Sequence, residues 1–489
     1  MHVDAALQTP NPALANPLAP SWLEVPADAN DLPAIVWSRN VRRTADGELE
    51  IGGMTASTLV DRFGSPVYVV DEDDARSRAA EAATAFGEAF AAIGADVKVY
   101  YAGKAFLTTA VARWMTEAGL CIDVCSGGEL AVALAGGVGP ARIGYHGNNK
   151  SLAEIDRAVE VGVGAIVIDS LQEIDRVAEA AERRGVRQAV RLRVNSGVHA
   201  HTHEFLATAR EDQKFGLPLD AVDDAVARIR AHASLRLLGL HSHIGSQIFD
   251  AEGFRASADR MVAAHARIAR DGDAPPELNL GGGYGIAYTR VDTPSSLREM
   301  AVRMAEYVAA ACEREGVDVP LVAFEPGRAI IGPAGTALYT VGTTKPVVVT
   351  VDDAPADADG ERPVAARLYV SIDGGMSDNA RPALYEADYS VRIASRASDA
   401  APALVRVAGK HCESGDLVVL ADYLPGDVAP GDLVAVPATG AYCWSLSSNY
   451  NLLPRPAVVA VRGGDASVLV RAETIDDLLA RDGGLPARA

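Results

Sequence analysis

The residues most able to do chemistry sit at the ends of short apolar runs. Lys104 closes VKVYYAGK, and His241, His243 and Ser246 fall in LRLLGLHSHIGS. Gly281, Gly282 and Gly283 follow ELNL, and Glu325 and Arg328 lie in PLVAFEPGR. A lysine ε-amine can condense with a carbonyl, and successive glycines let backbone N–H groups approach phosphate oxygens. Together these types point to a cofactor carrying both a phosphate and a carbonyl. Each has a plainer reading as well. Three glycines can be an ordinary turn, a buried glutamate a salt-bridge partner, and a His-x-His pair on one strand face a core or metal pair. The chain has six lysines, Lys98, Lys104, Lys150, Lys214, Lys345 and Lys410. Lys150 and Lys214 also follow strand-like runs, so position alone does not single out Lys104.

These residues need a scaffold that brings distant strand ends together. β-rich runs start near Val97, Cys121, Arg142, Ala165, Gln188, Leu235, Glu277 and Pro320. Between them lie segments such as SLAEIDRAVEVG and FRASADRMVAAHARIARDG, whose apolar positions recur every three and four residues. Eight strand–helix units in roughly 250 residues indicate a (β/α)8 barrel, whose reactive groups gather at the C-terminal ends of the strands. After Arg328 the pattern becomes a series of strands without long helices, from TALYTVGTTKPVVVTV to AVVAVRGGDASVLVRAE. The expected fold class is α/β, a TIM-like barrel plus a mostly antiparallel all-β domain. The expected divisions are 1–70 for an N-terminal arm and strands joining the β-domain, 71–330 for the barrel, and 331–489 for the β-domain. An acidic Pro/Ala/Asp loop near residue 356 interrupts the last.

Composition sets the exclusions. The formal net charge is −20, from 65 acidic and 45 basic residues, and no basic run offsets it. Such a chain repels phosphate backbones and anionic lipid, so neither nucleic acid nor membrane is expected as a partner. The first residues have no basic start and no continuous apolar stretch, and a cytoplasmic location is expected. Cys121 and Cys125 lack a matching pair nearby. His199, His201 and His203 lack a carboxylate scaffold. No metal site is expected at either place.

The motifs YAGKA, CSGGE, YHGNNKS, HSHIGSQ, GGGYG, EPGRAI, DGGMSDNARPALY, CESGD and GAYCWSLSSNYN occur in this order. With them, nearly the whole chain from about residue 30 resembles the fold-type III pyridoxal-phosphate decarboxylases, and within these the diaminopimelate decarboxylases. The resemblance implies decarboxylation of meso-2,6-diaminopimelate to L-lysine and CO2, the last step of lysine biosynthesis, by a homodimer with shared active sites. It assigns Lys104 to the covalent hold on pyridoxal 5'-phosphate and His243 to stacking on its ring. Ser246, Gly281, Gly282, Gly283 and the Glu325–Pro326–Gly327–Arg328 segment would bind phosphate and ring, and Tyr442 would reach the cofactor from the β-domain. Glu325 would face the pyridine nitrogen, where a carboxylate keeps the ring protonated as an electron sink. Cys412 would return a proton to the substrate. Arg328, Arg381, Tyr385 and Tyr442 would bind substrate, and Glu413 its distal ammonium.

Two other readings stay open at this level. One is an ornithine- or arginine-type decarboxylase on the same fold, which would be expected to carry acidic groups where Arg381 stands. The other is a non-catalytic pyridoxal-phosphate-binding relative, which would be expected to lack Lys104 or Cys412.

Overall fold

The structure, a computed structural model, describes residues 16–198, 214–272, 274–351 and 362–484. The histidines 199, 201 and 203 and the acidic loop near residue 356 lie outside them. The described chain divides into two compact units. One comprises residues 76–286 and 293–331, the other residues up to 75, 287–292 and 332 onward.

The first unit is a barrel of eight parallel strands: β1 (Val97–Ala102), β2 (Cys121–Val124), β3 (Ile143–Tyr145), β4 (Ala165–Ile168), β5 (Gln188–Asn195), β6 (Leu235–His241), β7 (Glu277–Asn279) and β8 (Leu321–Phe324). Each pairs with the next, and β8 pairs with β1, which closes the sheet. The helices between strands start where the sequence provides caps. Ser151 and Ser296 each form a reciprocal capping box with the glutamate three residues on, satisfying N–H groups that the first helical turn leaves open. One position differs from eight simple strand–helix repeats. The helix after β8 is only Arg328–Ile331. The long helix Glu72–Ala91 precedes β1 instead, and its Phe86 stacks on Phe324 of β8 with ring centroids 4.4 Å apart.

Part of the barrel interior is ionic. Arg191 of β5, 1% exposed, donates from Nη2 to Glu277 Oε2 on β7 at 2.7 Å and to the Tyr100 hydroxyl on β1 at 2.7 Å. Lys98 of β1 pairs with the other Glu277 oxygen. One carboxylate thus joins three strands across the barrel.

The second unit is built on the 16-residue strand Gly335–Thr350. It runs antiparallel to Val364–Ile372, Leu433–Pro437 and Val67–Asp71. Val67–Asp71 comes from before the barrel in sequence. It is fully buried and pairs in parallel with Ala457–Arg462, so chain from both sides of the barrel makes one sheet. Trp37, Leu49, Ile51, Leu59, Val69, Leu338 and Val459 form the core of this unit. The described part of the N-terminal arm is packed: Leu18, Trp22 and Leu23 lie against Leu404 and Tyr423.

Glu277→Ala should leave Arg191 charged and unpaired inside the barrel, at a cost of about 3–5 kcal/mol. Urea denaturation followed by circular dichroism should show the lower midpoint. A midpoint equal to that of the unaltered protein would refute the role of this carboxylate.

Candidate active site

The strand ends of the barrel enclose a cavity of about 390 Å³, within the range of small-molecule sites. Lys104 enters from the single 3-10 turn Gly103–Ala105 that ends β1. His243 lies two residues past β6 and Glu325 one past β8, and both line the same cavity. Asp123 of β2, Cys125, Glu129, His146 after β3, Arg193 of β5 and His241 of β6 complete the polar wall.

Gly281, Gly282 and Gly283 are needed first for backbone packing. A Cβ on Gly281 would lie 2.5 Å from the Ser242 carbonyl oxygen, one on Gly282 2.1 Å from that of Glu325, and one on Gly283 2.4 Å from that of Gly245. Gly281 and Gly283 also have φ of 71° and 118°, where side chains are strained. The turn is ordered from within. Gly281 N–H donates to Asn279 Oδ1 at 2.8 Å, and Gly282 N–H donates to His243 Nδ1 at 3.3 Å. The latter bond requires His243 Nδ1 to be unprotonated. Burial and the Lys104 ammonium push this imidazole well below its ordinary range, which agrees. Beside it, Arg328 Nη2 donates to Ser246 Oγ at 2.9 Å. Pro326 accepts from Ala102 N–H at 3.3 Å, and a Cβ on Gly327 would meet the Ala102 carbonyl at 2.9 Å, so the end of β8 is pressed against the end of β1.

The acids of the cavity are treated differently by their surroundings. Glu325 accepts from Asn279 Nδ2 at 2.7 Å and lies 3.0 Å from His241 Nε2. Burial would raise its carboxyl, but His241 and His146 outweigh that and hold it well below the usual range. Asp123 is pushed well above its usual range by burial and then by Glu325. Two close acids in one dry site do not both ionise, and the environment assigns the charge to Glu325. Burial holds both His146 and His241 neutral, with pKa lowered to about 4.

Both oxygens of Asp123, His146 Nε2 and both ring nitrogens of His241 are buried without a well-aligned hydrogen-bond partner. A cavity edged by unsatisfied polar atoms, an amine, an anionic carboxylate and a half-buried imidazole fits a polar aromatic cofactor with a carbonyl. His146, His241 and Glu325 also lie close enough to hold a metal ion.

The remaining residues singled out in sequence belong to the other unit. Arg381 is 5% exposed, and its guanidinium carbon lies 4.4 Å from the Tyr288 ring centroid and 5.5 Å from that of Tyr389. Its Nη1 donates to the Tyr389 hydroxyl. No carboxylate pairs with it among the described residues. Tyr385 is 63% exposed. Cys412 and Glu413 are exposed at the tip of a loop anchored by Asp416, which accepts from His411 N–H at 2.8 Å and Met376 N–H at 2.6 Å. Asp416 thereby ties the loop of Cys412 to the segment leading to Arg381. Tyr442 has φ of 60°, strained for a tyrosine. Sequence reading missed Asp123, His146, Arg193 and Asn279 on the barrel, and Tyr288 and Tyr389 around Arg381. The quoted motifs YHGNNKS and CSGGE held or bordered two of them.

Residues 76–332 match the family of the pyridoxal-dependent decarboxylase, pyridoxal binding domain. The chain is 50% identical to a diaminopimelate decarboxylase of Mycobacterium tuberculosis over 455 residues, 91% of this chain and 97% of that one. It is 42% identical to the Bacillus subtilis enzyme of the same name over 445 residues, 90% of this chain and 96% of that one. Among solved structures, diaminopimelate decarboxylase from M. jannaschii in complex with L-lysine is similar, with a TM-score of 0.80, 29% identity, and coverage of 91% of this chain and 98% of that one.

One cavity residue yields a direct prediction. Burial and the adjacent Glu129 carboxylate push the Cys125 thiol up to about 12, and Cys125 Sγ lies 3.3 Å from Glu129 Oε2. The thiolate is the reactive form. Iodoacetamide should therefore leave Cys125 unmodified at pH 8, with labelling appearing only as the pH nears 12. Peptide mass spectrometry reads the site, and labelling at pH 8 at the rate of a free thiol would refute the assignment.

Proposed function

The chain belongs to the diaminopimelate decarboxylase family of pyridoxal-phosphate-dependent enzymes, and from that premise we propose that it removes CO2 from meso-2,6-diaminopimelate to give L-lysine with the residues placed above. Pyridoxal phosphate, when bound, supplies a carbonyl that captures the substrate amine and a protonated ring that accepts the electron pair left by departing CO2. The residues of the chain do the rest. Lys104 holds the cofactor carbonyl through its ε-amine. His243, neutral and fixed by Gly282, covers the ring face. Ser246, the Gly281–Gly283 turn, and the Pro326–Gly327–Arg328 segment grip the phosphate end, and Tyr442 is a further cofactor-binding residue. Glu325 holds the ring-nitrogen proton. Cys412 supplies the proton that replaces CO2 on the substrate.

Arg381 carries the choice of substrate. A nearly buried guanidinium held by two tyrosines, with no described carboxylate beside it, is a site for an anionic group. Diaminopimelate has a distal carboxylate; ornithine and lysine do not. Arg328 and Tyr385 complete carboxylate recognition, and Glu413 pairs with the distal ammonium. An ornithine- or arginine-type activity would leave the Arg381 charge unmatched.

The cytoplasm is the proposed location. Among the described residues no helix is long and apolar enough to cross a membrane.

Arg381→Ala should cost about 2–5 kcal/mol of diaminopimelate binding, the usual effect of truncating one partner of a buried charged pair. Steady-state assays of CO2 and lysine release should show discrimination between meso-diaminopimelate and lysine or ornithine falling with it. An unchanged preference ratio would refute this role, and no lysine formed by the unaltered enzyme would refute the activity.

The active sites are proposed to be shared across a homodimer. Cys412, Glu413 and Tyr385 are exposed on their own unit, as residues meeting a second subunit would be. A two-fold dimer forms two equivalent composite sites. Lys104→Ala and Cys412→Ala subunits, each inactive, should regain about a quarter of normal activity when mixed and exchanged. About half the dimers are then hybrids, each with one intact site. With exchange verified by differently tagged subunits, no recovery would show that both residues serve the same chain.

A further inference from the structure

Glu325 is approached from one side only. Asn279 Nδ2 donates to its Oε1 at 2.7 Å. His241 Nε2 lies 3.0 Å from the same oxygen, within donating reach though off the ideal hydrogen-bond axis, and His146 Nε2 lies 3.5 Å from it. Among the described residues no donor reaches Oε2, although Glu325 lines the cavity. Asn279 and His241 are 0% and 1% exposed, so both donors are fixed by packing at the ends of β7 and β6.

From this convergence we infer that His241 is a positioning residue for the reaction: it occupies Oε1 of Glu325 together with Asn279, turning Oε2 alone toward the bound cofactor. The inference rests on the proposed role of Glu325 at the ring nitrogen. The neighbouring charges support it. An imidazolium here would form an ion pair with Glu325 and compete with the cofactor ring for its charge. His241 is instead held neutral by burial, with a pKa of about 4, so above that pH it can donate without competing. His146 stands edge-on to it, ring centroids 5.1 Å apart, and reaches Asp123 Oδ1 at 3.1 Å. It therefore stands between Glu325 and Asp123, whose carboxyl burial pushes up. The other charged or titratable groups facing this cluster are Lys104, Lys150, Arg193, His243 and Tyr284.

Other features carry less. The cavity of about 630 Å³ at the opposite end of the barrel has Lys98, Arg187 and Arg236 at its edge, but Lys98 already pairs with Glu277, and Arg187 Nε with the Leu235 carbonyl. A metal ion held by His146, His241 and Glu325 would have to displace the approach of both imidazoles to Oε1. Neither ring nitrogen of His241 has a well-aligned partner, whereas a ligating imidazole is usually steadied through its second nitrogen.

The test compares His241→Phe, which fills the ring volume without a donor, with His241→Gln, whose amide can donate at similar reach. Each is loaded with pyridoxal phosphate, and bound cofactor, its visible absorption against pH, kcat and KM are measured. The expected result for His241→Phe is a full equivalent of cofactor, a kcat lower by about 10- to 100-fold (the loss of one hydrogen bond to a charged group) and little change in KM. The absorption change that reports ring-nitrogen protonation should move to lower pH by about a factor of ten in proton concentration. His241→Gln should recover most of both. A His241→Phe enzyme with normal kcat and titration would overturn the inference, as would equal impairment in Phe and Gln, which would mark a packing role. If either substitution prevents folding, Asn279→Ala removes the other donor to Oε1 and should move the titration the same way; no movement overturns the inference. Glu325→Gln separates the two levels. If it abolishes turnover while His241→Phe does not, only the role of His241 falls. If Glu325→Gln keeps normal turnover, the role of Glu325 itself falls.

Discussion

Backbone touching backbone at the mouth of the barrel is the constraint on which the site depends. Closing eight short strands brings the ends of β6, β7 and β8 so near that only glycine fits at 281, 282 and 283. The same contacts set where His243 and Glu325 stand, because each is within three residues of such a crossing. Side chains held this way have little freedom to drift, as a preorganised site requires. The cost of that order is local: Gly281 and Gly283 hold φ values that would strain any other residue.

The two ends of the barrel treat charge in opposite ways. Toward the strand starts, Glu277 is saturated by Arg191 and Lys98, and its charge is spent on cohesion. At the mouth, Asp123, His146 and His241 keep polar atoms without aligned partners. Unsatisfied buried groups destabilise a fold and are retained where a ligand completes them. A cofactor site is such a place, and the cluster at the mouth lines the same cavity as Lys104 and Glu325.

Much of this was legible in the sequence. All eight barrel strands begin within a residue or so of where the alternation placed them, because each is a short apolar run bounded by helix caps and glycines. Lys104, His243 and Glu325 were legible because strand-end residues of a closed barrel share one rim. The position of the eighth long helix was not. Glu72–Ala91 has helical periodicity, but nothing in its order says that it packs on β8. Asn279 and His146 were hidden for a related reason. An asparagine in ELNLGGG and a histidine in YHGN acquire meaning only when Glu325, far away in sequence, arrives beside them. Arg381 was singled out in sequence as a candidate carboxylate reader. Its cage was not, since Tyr288 comes from a segment that leaves the barrel and returns.

That cage has a consequence for how the protein ages and evolves. A guanidinium wrapped by Tyr288 and Tyr389 keeps its charge with no carboxylate beside it among the described residues, a place where a new acid would find a ready partner. If Arg381 reads the substrate carboxylate as proposed, a mutation installing a nearby aspartate or glutamate would neutralise it and blind the site in the same step. Selection for robustness alone therefore works against recognition here, and a search for thermostable variants of this chain should hold the surroundings of Arg381 fixed.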